Sequence, residues 1–127
     1  MYAWYMPKDE PSDGLGHRHD WEGCVVWLSS MSTSATLLGV SASAHGGWDA
    51  NTSPNLSGTS PLIRYYSTWP LDHQMGFTST VGGLQPLIAW ESLTAAAQTA
   101  LQNTDFGSAN VPFKDANFNN NLAEAEL

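Results

Sequence analysis

Gly16-His17-Arg18-His19-Asp20-Trp21-Glu22, running on into Gly23-Cys24-Val25-Val26-Trp27-Leu28, is the stretch that decides the fold class and chemistry of this chain. Its second half, rich in β-branched and aromatic residues, predicts a strand from Trp21 to Leu28. With Asp20 to Leu28 extended, Asp20 and Glu22 point to one face, and Trp21, Gly23, Val25 and Trp27 point to the other. Two carboxylates side by side call for a cation, and Arg18 is the only base beside them. His17 lies three residues from Asp20, so plain alternation keeps it off that face. It joins only if the chain bends, and Gly14-Leu15-Gly16 makes a bend available.

The ligand types favour a hard ion. One imidazole with several carboxylates suits Mg²⁺ or Ca²⁺, and admits Mn²⁺. Zinc is the alternative, since His17, His19 and Asp20 offer three ligands, but there is no cysteine partner and no His-Glu-x-x-His helix. The plain alternative is an acidic loop that is simply solvated.

The 127 residues carry a net charge of −8 with only four Lys and Arg, which argues against nucleic acid as a partner and against direct attraction to anionic lipid. Membrane contact would therefore run through aromatics, sugars or a bridging cation. No apolar run approaches transmembrane length. The single cysteine, Cys24, excludes an internal disulfide and reads as a small apolar group within a strand. Low charge, many small polar residues and the sequons Asn51-Thr52-Ser53 and Asn55-Leu56-Ser57 suit a secreted protein, although no signal peptide is present.

Further strands are expected over Met1 to Met6, ended by Pro7, and over Ala35 to Ala42 as the antiparallel partner of Trp21 to Leu28. Others fall over Pro61 to Tyr66 and Gly76 to Val81. Lys8 to Gly16, His45 to Ser60 and Ser67 to Gln74 read as loops. His45, Trp48 and Asp49 are candidates to join a site, against the ordinary reading of a surface loop. The spacing of Leu93, Ala96, Ala97, Ala100 and Leu101 predicts a helix over Trp90 to Asn103, with Ser92 as its N-cap. A terminal helix is expected within Asp115 to Leu127, with Phe118, Leu122 and Ala125 on one face. Strands first and helices last give a mainly β protein, an antiparallel β-sandwich with peripheral helices.

The heptapeptide Gly16 to Glu22 is the signature of the necrosis- and ethylene-inducing-peptide-like proteins, a family of microbial plant cytolysins. Met1-Tyr2, Trp4-Tyr5, Pro7-Lys8-Asp9 and Gly14-Leu15-Gly16 resemble the segment that precedes it in that family. Trp69-Pro70-Leu71-Asp72-His73, Pro86-Leu87-Ile88-Ala89-Trp90, Asp105-Phe106-Gly107-Ser108-Ala109 and Val111-Pro112 are similar to its later landmarks, so the resemblance covers nearly the whole chain. It implies a β-sandwich and a secreted protein that damages plant plasma membranes by recognising sphingolipid sugar head groups. It implies that Asp9, His17, Asp20 and Glu22 hold a divalent cation, directly or through water. Trp69 matches the tryptophan that meets the membrane, Asp72 and His73 the pair lining the sugar cavity, and Gly16, Arg18, His19 and Trp21 the structural part of the motif.

Met1 falls inside the family domain. Residues 1–127 are therefore read as its C-terminal portion, lacking the N-terminal strands and the usual disulfide. No nucleophile, base and orienting group stand together, so no turnover is expected. Two alternatives remain: a non-lytic remnant sensed by plant receptors through Met1 to Glu22, and a metal-dependent hydrolase.

Overall fold

The computed structural model describes residues 1–68 and 72–127, with Asp72 described by its backbone. Strands β1 (Tyr2–Asp9), β2 (His17–Leu28), β3 (Leu37–Ala44) and β4 (Gly47–Asn51) form an antiparallel sheet in that order. Strands β5 (Leu56–Ser57) and β6 (Ser60–Pro61) make a small separate hairpin, and β7 (Ile63–Thr68) pairs antiparallel with β8 (Asp72–Phe77). β8 lies across β3 and β2, giving two layers with Cys24, Val40, Ala42 and Met75 among the buried residues. This is the expected mainly β, antiparallel sandwich with helices at its periphery.

The boundaries differ from the sequence reading for identifiable reasons. Pro7 does not end β1, because β1 is an edge strand and the ladder passes over Pro7, pairing Met6 with Asp20 and Lys8 with Arg18. β2 starts at His17, and β3 is its antiparallel partner, lying two residues later than expected. The stretch read as one long loop contains β4. His45 and Gly46 both have positive φ, 45° and 77°, and form a two-residue hairpin turn between Ala44 and Gly47. Of the loop read over Ser67 to Gln74, both ends belong to β7 and β8, and residues 69–71 lie outside the described part. The short strand expected over Gly76 to Val81 ends at Phe77 as the tail of β8.

Helix α1 spans Ala95–Asn103 and is capped by Thr94, whose hydroxyl accepts from the Ala97 N–H at 3.2 Å. Ser92 lies instead in a short 3₁₀ turn over Trp90–Ser92. No residue of α1 is fully buried: the apolar stripe is there, but Leu93, Ala97 and Leu101 are half-covered and Ala96 and Ala100 exposed.

Helix α2 spans Asp115–Glu124. Of its expected apolar face, Ala125, just past the helix, is buried and Leu122 half-buried, while Phe118 is exposed. Asn117 and Asn121 donate to the carbonyls of Val111 and Pro112 at 3.1 and 2.7 Å. Just past the helix, the Ala125 carbonyl accepts from Trp27 Nε1 at 3.0 Å and Ser41 Oγ at 2.5 Å. Leu127 then lies over Gly39, where a Cβ would stand 2.7 Å from Leu127 Cδ2. Residues 125–127 are thereby clasped to the end of β2 and the middle of β3.

Candidate cation and sugar site

Asp9 ends β1, and Asp20 and Glu22 lie on β2; all three side chains are buried, at 1%, 7% and 9% exposure. Burial of that many carboxylates is costly unless each is paired or bonded. Asp9 Oδ1 meets His73 Nδ1, on β8, at 2.5 Å, and Asp9 Oδ2 stands 3.7 Å from His17 Nε2. Asp20 Oδ2 accepts from the Tyr65 hydroxyl of β7 at 2.7 Å. Glu22 accepts from the Ser43 hydroxyl, which also accepts from the Gly23 N–H at 2.8 Å.

The bend that brings His17 to this face lies at His19 itself. Its φ is 66°, a left-handed conformation in the middle of a strand, opposite the Pro7 gap in the β1 ladder. The glycines before it serve another purpose. Gly16, at φ 86°, carries the chain back so close to β1 that any Cβ there would overlap the Asp9 carbonyl.

The electrostatics follow from this arrangement. Burial raises the Asp20 carboxyl above its ordinary value; the Tyr65 bond opposes the rise, the Asp9 charge adds to it and His17 lowers it. Tyr65 is driven upward by burial and by its bond to Asp20, with Asp9 and Glu22 contributing. All three acids thus sit within electrostatic reach of Tyr65, and Asp9 lies against the imidazoles of His17 and His73. Oxygen donors with excess negative charge suit a hard divalent ion. Among the described residues, however, no three His, Cys, Asp or Glu side chains are gathered closely enough to hold a metal ion, so the four-ligand grouping expected from the sequence is not assembled here.

Of the residues singled out in the sequence, His17 and His73 flank Asp9, while Asp20 and Glu22 share a hollow with His17. Trp69 and the side chain of Asp72 lie outside the described residues. His19 and Trp21 point to the far side of β2, into an aromatic cluster in which Trp21 meets Tyr5, Phe106 and Phe113 at ring separations of 5.2, 5.6 and 5.9 Å. His45 reaches Thr68 with Nε2 at 3.0 Å, linking the β3–β4 turn to the end of β7. Tyr65 and Ser43 went unnoticed in the sequence, although the order Arg64-Tyr65-Tyr66 in a strand already puts one tyrosine on each face. An open hollow of about 450 Å³ begins at His17, Asp20 and Glu22 and runs past Trp48 to the asparagines of α2.

A family profile described as necrosis inducing protein (NPP1) matches residues 1–125. NLP effector protein 10 of Phytophthora capsici is 54% identical over 98% of this chain and 55% of its own length. NLP effector protein 14 of the same organism is 50% identical over 98% of this chain and 97% of its own length. The chain thus spans about half of the first relative and nearly all of the second. Among solved structures, NLPPya in complex with mannosamine superposes with a TM-score of 0.92 at 53% identity, covering 98% of this chain and 59% of that one. The non-toxic HaNLP3 protein superposes with a TM-score of 0.92 at 39% identity, covering 98% and 60%.

Proposed function

This chain belongs to the necrosis-inducing protein (NPP1) family, and from that premise we propose that it is a secreted effector that binds sugar head groups of plant plasma-membrane sphingolipids and damages the membrane. The observation that supports this most is the burial of three carboxylates, Asp9, Asp20 and Glu22, with His17 and His73 against Asp9. A divalent ion, Mg²⁺ or Ca²⁺, would be held there by Asp9, His17, Asp20 and Glu22, partly through water. When bound, the ion supplies charge balance and a polarised face for sugar hydroxyls.

The residues of the chain do the rest. Tyr65 and Ser43 hold two of the acids in place, and His73, four residues after Trp69 in the sequence, holds the third from the start of β8. An indole is favoured at the headgroup boundary, which is the role assigned to Trp69. Sugar binding by a solved relative, NLPPya with mannosamine, supports a sugar as ligand. Relatives are named as effectors, which fits binding and damage without turnover.

Leakage of dye from vesicles containing plant glycosylated sphingolipids tests this reading. Leakage is expected with Mg²⁺, lost with EDTA and weakened by Trp69→Ala with the fold intact; leakage that persists after thorough chelation overturns it. A second reading, a non-lytic effector sensed by plant receptors through Met1 to Glu22, is favoured by the likeness to non-toxic HaNLP3. It predicts no leakage under any of these conditions, together with an immune response from plant tissue given the protein.

A further inference from the structure

The imidazole of His17 can face Asp9 usefully only if the correct ring nitrogen carries its lone pair, and something must choose that nitrogen. His17 Nδ1 lies 2.8 Å from the backbone oxygen of His19. A carbonyl only accepts, so Nδ1 carries the hydrogen, and in the neutral ring it is Nε2 that presents the lone pair. Nε2 is the atom on the Asp9 side, 3.7 Å from Asp9 Oδ2.

That carbonyl reaches His17 because His19 adopts φ 66°. In a regular strand, oxygens two residues from a side chain point along the ladder toward a neighbouring strand; here Pro7 opposite has no N–H to offer. The His19 ring itself is engaged elsewhere. Tyr5 Oη meets His19 Nδ1 at 2.6 Å, and Phe106 packs edge-on against the ring at 5.3 Å between centroids. The His19 ring thus faces away from the carboxylates, and its backbone serves them.

We propose that His19 is a positioning residue: its left-handed backbone, rather than its ring, fixes the tautomer of His17 so that Nε2 of the neutral ring faces the acids. This rests on the cation reading only for its consequence, because the tautomer exists with or without an ion. Orienting contacts of this kind commonly tune how strongly a ligand histidine binds.

Long-range ¹H–¹⁵N correlation spectra of the labelled chain at pH 8 with EDTA report which His17 nitrogen carries hydrogen. Nδ1–H is expected as the single form; Nε2–H, or a mixture of both, overturns the proposal. Two variants separate backbone from ring. His19→Gly accepts positive φ and should keep the His17 tautomer, with Mg²⁺ affinity by calorimetry within about threefold of wild type. His19→Val resists that conformation and should lose the single tautomer and roughly tenfold in Mg²⁺ affinity, with circular dichroism checking that it folds. If His19→Gly behaves like His19→Val, the ring rather than the backbone matters and the proposal fails. If wild type shows the expected tautomer but no Mg²⁺ binding, the cation reading falls and the positioning of His17 stands.

Discussion

The Tyr65 hydroxyl, carried by β7, donates to Asp20 Oδ2 on β2 at 2.7 Å and so ties the two layers of the sandwich together at the floor of the site. Tyr65→Phe removes this donor and leaves a nearly buried carboxylate short of a partner. Urea unfolding should show a loss of about 1–3 kcal/mol, the usual cost of stranding a buried polar group. The variant should also raise the Asp20 carboxyl further, because the Tyr65 bond is what most opposes the effect of burial. A Tyr65→Phe protein as stable as wild type would show that the two layers are held by apolar packing alone.

Asp20 also gives the protein a pH dependence whose sign can be worked out. Its folded value lies above the ordinary 3.8 because of burial first and the Asp9 charge in addition. A group raised on folding contributes stability that is complete below its unfolded value and lost as pH rises through its folded value. In EDTA, wild type and Asp20→Asn should therefore match most closely at about pH 4. With rising pH, wild type should fall progressively below the variant in melting temperature, since only wild type must then bury the charge. Added Mg²⁺ should raise the melting temperature of wild type at pH 7 and leave Asp20→Asn unmoved. A constant gap between the two proteins across pH would exclude Asp20 as the titrating group.

The parts of this architecture that were legible in advance are those set by local pattern. The apolar run after Glu22 announces β2, and the placement of Asp20 and Glu22 on one face follows from the two-residue period. His17 was harder, because its inclusion depends on a left-handed residue in mid-strand, and nothing about His19 as a letter distinguishes it from any other strand histidine. The His45-Gly46 turn was missed because a polar, glycine-rich stretch looks the same whether it wanders or makes a tight hairpin. Tyr65 and Ser43 were invisible because their roles exist only once β7 and β3 stand beside β2, and tertiary partners leave no mark in the spacing of either strand. In α2 the apolar stripe was legible only in part: Ala125 is buried but Phe118 is not, and Asn117 and Asn121 dock as well, because two open backbone carbonyls lie opposite them.

Cys24 is 3% exposed in the centre of β2, and burial pushes its thiol up to about 11. Since the thiolate is the reactive form, both access and ionisation oppose reaction at neutral pH. Ellman's reagent should leave the native protein unmodified for hours and react stoichiometrically in guanidinium. The rate of modification at intermediate denaturant should then follow global unfolding. Rapid labelling of the native protein would mean that β1 and β2 open locally, at the same place where Asp20 and Glu22 are held.

The Ala125 carbonyl, with donors from both Trp27 and Ser41, is the point at which the end of the chain is fastened to the sheet. Either donor alone can satisfy it, so Trp27→Phe and Ser41→Ala should each cost about 0.5–1.5 kcal/mol, the net worth of one hydrogen bond. Losing both leaves the carbonyl of a 1%-exposed residue without a side-chain donor, and that penalty is absent from either single variant. The double variant should therefore cost more than the two added together, by about 0.5–3 kcal/mol in a double-mutant cycle. Strict additivity would mean that water replaces the missing donors and that residues 125–127 already lift from the sheet. In that case removing them should leave the melting temperature unchanged, whereas a true clasp predicts that their removal lowers it at least as far as the double variant does.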